Sequence, residues 1–388
     1  MNKSCSERRF LVCYINVMSS SKYTEIFGIL QKELCDGKYG AHNLFPSEAQ
    51  LVRRFHVSRF TAVRAVRKLE DEGLIVRRKG KGSFPTKFIR SAYGPIGLIM
   101  PGLADGEIFV HICDEITRLC QRKGRTVLLG NATAEAQNGR QKAARKLAFD
   151  FVRQHVAGVI MHPTGYVRDA SAVNREMVSI FDKAGVPIVL LGYDIEPASR
   201  RYRYDLVAID NFLAGRRLGE HLVSGGVRKV LFVTRKNCTS TVEDRMMGIA
   251  TAMLAAGLPW SSDCIVEAES TSPGSIMRLL HGKDAPDAVV CGCDLYAVSV
   301  LKAIEKVMRK SVLLGDIKLA GFDNVRCSSV ATPSLTSIRQ PCKELAHVAV
   351  EMLYRRMEHP DRPVCTALLD APLVVREYAA SAAGESGT

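Results

Sequence analysis

The stretch PSEAQLVRRFHVSRFTAVRAVRKLEDEGLIVRRKGKGSF, residues 46–84, decides how the first part of the chain folds. Ser47 reads as a helix N-cap, and Gln50 three residues on completes a capping box. Leu51 and Phe55 are four apart and share a face. His56 and Val57 make a short turn, and Ser58 caps a second helix that runs to about Glu70. At about 100° per residue, Ala62, Val66 and Leu69 fall on one side of that helix. Phe60, Arg64, Arg67 and Lys68 fall on the other. Gly73 ends the helix, a strand follows over Leu74 to Arg78, and Gly80-Lys81-Gly82 turns the chain into a return strand from Ser83. Upstream, Tyr23, Ile26, Phe27, Leu30 and Leu34 have helical spacing before Gly37. The order helix, helix, turn, helix, hairpin predicts a winged helix over residues 20–86, with the second short helix suited to the major groove.

Charge supports an anionic partner for this region. The chain of 388 residues has a net charge of +14, and residues 1–90 hold 18 Lys+Arg against 8 Asp+Glu. Less than a quarter of the chain therefore carries most of the excess. Nucleic acid is favoured over a membrane surface, because the sequence has no long amphipathic basic helix and no lipidation motif. No apolar run reaches the roughly 18 residues of a membrane span. Residues 10–18, FLVCYINVM, imitate a signal peptide without a cleavage site, so residues 1–19 read as a disordered or non-native extension with Met18 as the working start. The twelve cysteines show no Cys-x-x-Cys, and Cys291 and Cys293 have no partner pair of zinc-site spacing. They read as reduced, mostly buried thiols of a cytoplasmic protein, with no metal site.

The motifs quoted above closely resemble the winged helix of the GntR family of bacterial transcription regulators. Pro46-Ser47-Glu48, Val57-Ser58-Arg59, Thr61, Arg64, Leu69, Glu72-Gly73-Leu74-Ile75 and Gly80-Lys81-Gly82 stand where that pattern has them. The resemblance implies that Arg59 and Arg64 touch phosphates or guanine edges and that Thr61 touches the DNA backbone. It also implies that the Lys81/Gly82 tip enters the minor groove. Ser47, Ser58 and Phe60 complete the expected interface, with Phe60 packing on a thymine methyl or covering the backbone. Ala49 departs from the family, which often has arginine there.

Residues 87–94 read as a linker, and after Pro95 the pattern changes. Short apolar runs at 96–100, 126–130, 157–161, 187–192, 229–234, 287–292 and 317–322 alternate with helical stretches at 107–122, 139–154, 211–224, 243–256, 294–308 and 341–358. This alternation predicts parallel sheets covered by helices, and its length predicts two Rossmann-like subdomains. The segments VAIDNFLAGRRLGEHLVSGGVRKVLFVT (207–234), EDRMMGIATAMLAAGL (243–258), AVVCGCDLYAVSVLKAI (288–304), IKLAGFDN (317–324), PSLTSIRQP (333–341) and PLVVRE (372–377) resemble, in order, the lactose-repressor and periplasmic sugar-binding family. A winged helix joined to this module resembles the arabinose-repressor subgroup. The predicted fold class is thus α/β, a winged helix-turn-helix followed by a periplasmic-binding-protein-type module over 95–377, with a flexible tail at 378–388.

That resemblance implies a ligand cleft between the subdomains, with chain crossings near 192–195, 322–326 and 339–341. Carried over by position, Phe109 stacks on a sugar face, Arg245 and Asp323 bind hydroxyls, and Gln340 meets the ligand near the hinge. Cys293 stands where the family often has asparagine, beside Asp294, and Gly192 stands where an acid is common, beside Tyr193 and Asp194. Tyr193, Cys293 and Asp294 complete the expected effector set. Asp210 and Asn211 are expected to fix a helix start and the hinge. His162, after a strand, is left out of the set. The expected function is a ligand-responsive DNA-binding repressor of carbohydrate-utilisation genes, dimeric on operator DNA and released by a small sugar, with no cofactor. A sugar-transport binding protein, or a regulator answering to a purine-type or phosphorylated ligand, is the alternative. An aminotransferase-like enzyme is disfavoured, because no nucleophile–base constellation or phosphate-binding loop is present.

Overall fold

The spacing of Ile26, Phe27, Leu30 and Leu34 buries one face of α1 (Lys22–Cys35) in the computed structural model. The structure describes residues 22–35, 38–39, 45–78, 80–85, 94–101, 106–131, 140–195, 203–267, 285–308 and 317–377. The expected extension at 1–19, the tail at 378–388 and all of the expected linker but Gly94 lie outside them. By internal packing the chain divides into two units, 1–90 and 91–388.

In the first unit, α1 packs with α2 (Glu48–Phe55) and α3 (Arg59–Asp71). Ala62, Ala65, Val66 and Leu69 of α3 are buried against Leu30, Leu51 and Leu74. The turn between α2 and α3 reverses at His56, whose φ of 51° is left-handed. Strands β1 (Ile75–Arg78) and β2 (Gly82–Pro85) form an antiparallel hairpin that pairs Arg78 with Gly82. Gly80 and Gly82 sit at φ 75° and 93°, where a side chain is disfavoured, so the wing turn depends on them. Phe45 donates its N–H to the Ser83 carbonyl and ties the hairpin to the strand-like entry of α2.

The second unit holds two six-stranded sheets. The first has the order β4 (Val127–Asn131), β3 (Ile96–Met100), β5 (Gly158–Met161), β6 (Ile188–Leu191), β7 (Asp205–Ile209) and β13 (Thr366–Leu369), all parallel. The second has the order β9 (Ile265–Glu267), β8 (Val230–Thr234), β10 (Ala288–Cys291), β11 (Lys318–Asp323), β12 (Thr336–Arg339) and β14 (Leu373–Val374). Its β14 edge is antiparallel and its other pairs are parallel. Strands β3, β5, β6, β8 and β10 are buried along their whole length, as strands covered on both faces must be.

Helices α4 (Glu107–Arg122), α5 (Arg140–Arg153), α6 (Ala170–Ala184) and α11 (Cys342–Glu358) cover the first sheet. Helices α7 (Asn211–Ser224), α8 (Ser240–Ala255), α9 (Asp294–Met308) and α10 (Arg326–Val330) belong to the second. Helices α7 and α8 cross where Gly215 and Gly248 remove side chains: a Cβ at Gly215 would stand 2.1 Å from the Arg245 carbonyl oxygen.

The strand order corrects two of the expected crossings. Residues 192–195 lie between β6 and β7 of one sheet, and 322–326 run from the end of β11 to the start of α10, before β12, in the other. The chain passes between subdomains near 209–211, at 339–342 and again between β13 and β14. Of the three expected positions, the one at 339–341 coincides with a crossing. Residues 322–326 instead touch the other subdomain without changing sheet: the Arg326 N–H donates to Glu107 Oε2 at 2.8 Å.

Candidate DNA interface and effector cleft

In the first unit, caps place the cations. Ser47 Oγ accepts from the Gln50 N–H at 3.4 Å, and Gln50 Oε1 accepts from the Ser47 N–H at 2.8 Å. Ser58 Oγ accepts from the Thr61 N–H at 3.2 Å and shares a 2.9 Å bond with the Thr61 hydroxyl. These four side chains fix where α2 and α3 begin. From those starts Arg59, Phe60 and Arg64 project outward, and Phe60 is 76% exposed. Arg64 lies over the Tyr23 ring, 4.0 Å from its centroid. That partner was not in the expected set, although Tyr23 and the α1 period were legible.

A hollow bounded by α2, α3 and the wing is lined by Ser47, Arg53, Arg59, Arg78 and Gly82, among others. Glu48 is its carboxylate, and it receives Arg77 at 2.8 Å and Arg59 at 4.0 Å. Of the expected interface residues, Ser47, Arg59 and Gly82 line this hollow; Ser58, Phe60, Thr61, Arg64 and Lys81 stand outside it. Behind this face Arg54 forms a two-pronged ion pair with Glu33, which holds that carboxyl down at about 2. This pair braces α1 against α2.

In the second unit, a cavity of about 380 Å³ opens between the two sheets. Phe109, Tyr193, Arg245, Cys293, Asp323 and Gln340 of the expected effector set all line it. One wall is aromatic. Phe109 meets His162 edge to face at 4.9 Å, and His162 meets Tyr193 at 5.3 Å. Tyr193 donates its hydroxyl to the Pro163 carbonyl at 2.7 Å. His162 Nδ1 is 3.0 Å from the same carbonyl, which accepts only, so Nδ1 carries the proton and Nε2 is an acceptor. Burial pushes this imidazole down to about 4, so it is neutral near pH 7.

His162 also accounts for Gly192. A Cβ at residue 192, at φ 95°, would stand 3.0 Å from His162 Nε2. The space an acidic side chain would take is filled by the imidazole. The sequence signal for His162 was its place directly after β5, at a strand C-terminal end where α/β sheets bind ligands.

The facing wall is polar. Arg245 is buried, and donates to Asn211 Oδ1 at 2.8 Å, to the Gly292 carbonyl at 2.7 Å and to Asp323 Oδ1 at 3.5 Å. Gln340 Nε2 donates to the same Asp323 oxygen at 3.1 Å. Asp323 stands at φ 102°, a strained setting for a residue with a side chain. The Cys293 thiol is pushed up to about 11 by burial, so it lines the cavity as a neutral group. Asp210 caps α7 through the Leu213 N–H at 2.8 Å, while Asn211, expected only at the hinge, also lines the cavity. Arg140, Tyr166, Arg235, Thr239 and Thr241 line it as well and were missed.

Asp294 is placed differently from expectation. It is fully buried beneath the cavity, not among its lining residues. It accepts from the Ser337 hydroxyl at 2.8 and 2.9 Å and from the Val325 N–H at 3.2 Å, so it ties β12 and α10 to α9. Gly321 makes room for it: a Cβ there would stand 2.3 Å from Asp294 Oδ1. Burial, then the charge of Asp323, pushes its carboxyl up to about 7. A folded-state value above the unfolded one means that the folded protein binds the extra proton. Stability from this group is therefore present at low pH and is lost as pH rises toward about 7. Asp294→Asn is expected to gain stability relative to the parent progressively from about pH 4 to about pH 7. Urea denaturation at several pH values checks this; a difference that does not change with pH contradicts it.

Nine of the cysteines among the described residues are seen as free thiols, and of these only Cys113, Cys120 and Cys291 are buried, fewer than expected. Among the described residues no helix is long and apolar enough to cross a membrane.

Comparison with known proteins agrees with both units. Residues 22–84 match the bacterial regulatory proteins of the gntR family, and residues 220–377 match the periplasmic binding protein-like domain. The chain is 28% identical over 291 residues to the HTH-type transcriptional repressor PurR of Glaesserella parasuis, covering 72% of this chain and 80% of that one. It is 25% identical over 347 residues to the arabinose metabolism transcriptional repressor of Geobacillus stearothermophilus, covering 87% and 91%. A LacI family transcriptional regulator from Enterococcus faecium, solved with bound ribose, has the same fold with a TM-score of 0.59 at 23% identity, covering 74% of this chain and 99% of that one. These are families of transcription regulators and not of enzymes. The chain is a ligand-responsive DNA-binding transcription regulator, in which a winged helix of the gntR family precedes a LacI-type periplasmic-binding-protein-like effector domain.

Proposed function

We propose that this regulator is a cytoplasmic repressor of carbohydrate-utilisation genes, dimeric on a near-palindromic operator and released by a small sugar in the cleft. The observation that carries the reading is the two-sided cavity. Phe109, His162 and Tyr193 offer faces and edges to C–H groups, and Arg245, Asp323 and Gln340 offer donors and a carboxylate to hydroxyls. The arabinose-metabolism repressor, which aligns over most of both chains, supports a sugar. The same aromatic wall suits a flat nucleobase, and a purine-type effector is the second reading. The DNA-binding domain counts against a transport role.

Release requires an effector that favours the state with low affinity for DNA. A thermal-shift screen of the full chain against sugars, sugar phosphates and nucleobases is the direct test. A ligand at 100 times its Kd adds roughly 2.7 kcal/mol of stability. Operator release by a sugar-type hit, read by fluorescence anisotropy, is the expected result; a nucleobase hit alone selects the second reading.

On the DNA side, Ser47, Ser58 and Thr61 set the helix starts, and Arg59, Phe60, Arg64 and the Lys81/Gly82 tip make the contacts. Arg64→Ala is expected to weaken operator binding by about 1–3 kcal/mol, as for a good base contact. Leaving the Tyr23 ring costs Arg64 about 0.5–1 kcal/mol, which that contact exceeds. Unchanged anisotropy curves for the variant place Arg64 outside the interface.

A further inference from the structure

The cleft contains more positive charge than hydroxyl recognition needs. Its lining holds three arginines, Arg140, Arg235 and Arg245, and among the described residues one carboxylate, Asp323. Arg245 and Asp323 balance each other, and Gln340 shares the same carboxylate oxygen. Arg235 sets the sign of what remains, because Arg140 is paired with Asp169 beside the lining.

Both are fastened to one loop, residues 162–169. Arg235 follows β8 of the second sheet and lies over the Tyr166 ring, 4.8 Å from its centroid. Arg140 opens α5 on the first sheet and reaches Asp169 at 3.4 Å. Arg140 is only 8% exposed, and its Nε has no hydrogen-bond partner among the described residues. A buried donor left unpaired destabilises the empty site, and an oxyanion with several acceptor atoms relieves that cost where a single hydroxyl relieves less. The two cations also belong to opposite subdomains. A ligand held by both has contacts that exist together only at one closure of the cleft, which is the differential a regulator requires.

We infer that the effector is an anionic sugar derivative, whose phosphate ester or carboxylate is received by Arg140 and Arg235 beside the 162–169 loop. The inference rests on the sugar reading above and narrows it. The hydroxyl-bearing part of the ligand lies between the aromatic wall and Asp323, and the anion lies toward Tyr166.

The test is calorimetry on the full-length chain with four arms: neutral pentoses and hexoses, their phosphate esters, their aldonic and uronic acids, and inorganic phosphate. One anionic arm is expected to bind at least tenfold more tightly than its neutral parent, with affinity falling as salt rises. Which arm does so separates phosphate from carboxylate. Arg235→Gln alters an exposed side chain and is expected to erase the tenfold preference while operator binding stays unchanged. Arg140→Gln is expected to do the same, with Arg140→Lys restoring part of it. A neutral sugar that binds as tightly as its anionic derivatives, or a preference untouched in Arg235→Gln, overturns the inference and leaves the sugar reading standing. Phosphate binding that Arg235→Gln removes, with no sugar of any arm bound, overturns the sugar reading and keeps the anion site. No binding in any arm overturns both.

Discussion

Asp323→Ala is expected to abolish the response to effector at concentrations that release the parent protein, while operator binding without effector is unchanged. The carboxylate faces the cavity from the end of β11 and is where Arg245 and Gln340 converge. Both of those contacts fall on Oδ1; among the described residues none falls on Oδ2. A ligand hydroxyl donating to this carboxylate contributes about 1.5–3 kcal/mol, so its loss weakens binding roughly tenfold to a hundredfold. The scaffold is expected to survive. Arg245 retains Asn211 and the Gly292 carbonyl, and Asp323 lies outside the winged helix. Alanine is strained at φ 102°, so Asp323→Asn is the second variant: asparagine tolerates positive φ, keeps the shape and removes the charge. Anisotropy of the operator complex, titrated with the effector from the screen, reads both. Release by both variants at the parent's effector concentration removes Asp323 from the binding site.

The winged helix was legible because its determinants are local. Caps at Ser47 and Ser58, the α3 period and the Gly80/Gly82 turn all act within one or two turns of chain, and the structure keeps each within a residue or two of its expected place. The alternation after Pro95 was legible for the same reason. Helices 107–122, 211–224 and 294–308 have the expected bounds. Helix α6 was overlooked although Val173, Met177 and Phe181 repeat at four-residue spacing and are buried.

What escaped depends on distant partners. Strand β7 opens on Asp205, a charge that argues against a buried strand until its partner, 151 residues away, is known. Asp294 looked like a cleft residue because it adjoins Cys293, yet Ser337 and Val325 hold it beneath the floor. His162 looked incidental until Gly192 showed what it replaces. Arg140 and Arg235 belong to no sequence motif; the burial of the first and the stacking of the second are set by the 162–169 loop. Local chemistry thus marked the elements and part of the cleft, and tertiary contact decided which polar groups face the ligand and which support the wall.

Arg356→Ala is expected to cost the effector domain about 3–5 kcal/mol, the usual result of stripping a buried carboxylate of its partner. Asp205 has no exposed side-chain surface, and both of its oxygens are engaged. Arg356 donates to them from Nε and Nη2 at 2.9 Å each, and the Cys365 N–H adds a third bond at 2.8 Å. The same guanidinium donates to the Pro360, Arg362 and Pro363 carbonyls, so it also orders the turn between α11 and β13. Without it a carboxylate at the start of β7 is left in the interior with one donor, and the β7–β13 pairing, which begins at Leu206 and Thr366, loses its anchor. Strand β13 leads directly into the passage to β14, so loosening it weakens one of the three connections between subdomains. Arg356→Lys is expected to recover only part of the loss, because an ammonium does not reproduce the two parallel bonds. Asp205→Asn with Arg356 retained leaves a buried cation short of its partner and is expected to fall between parent and Arg356→Ala. Urea denaturation gives the free energies, and amide exchange at residues 366–369 locates the loss. A change below about 1 kcal/mol, the range of exposed pairs, would show that this pair contributes no more than a surface contact.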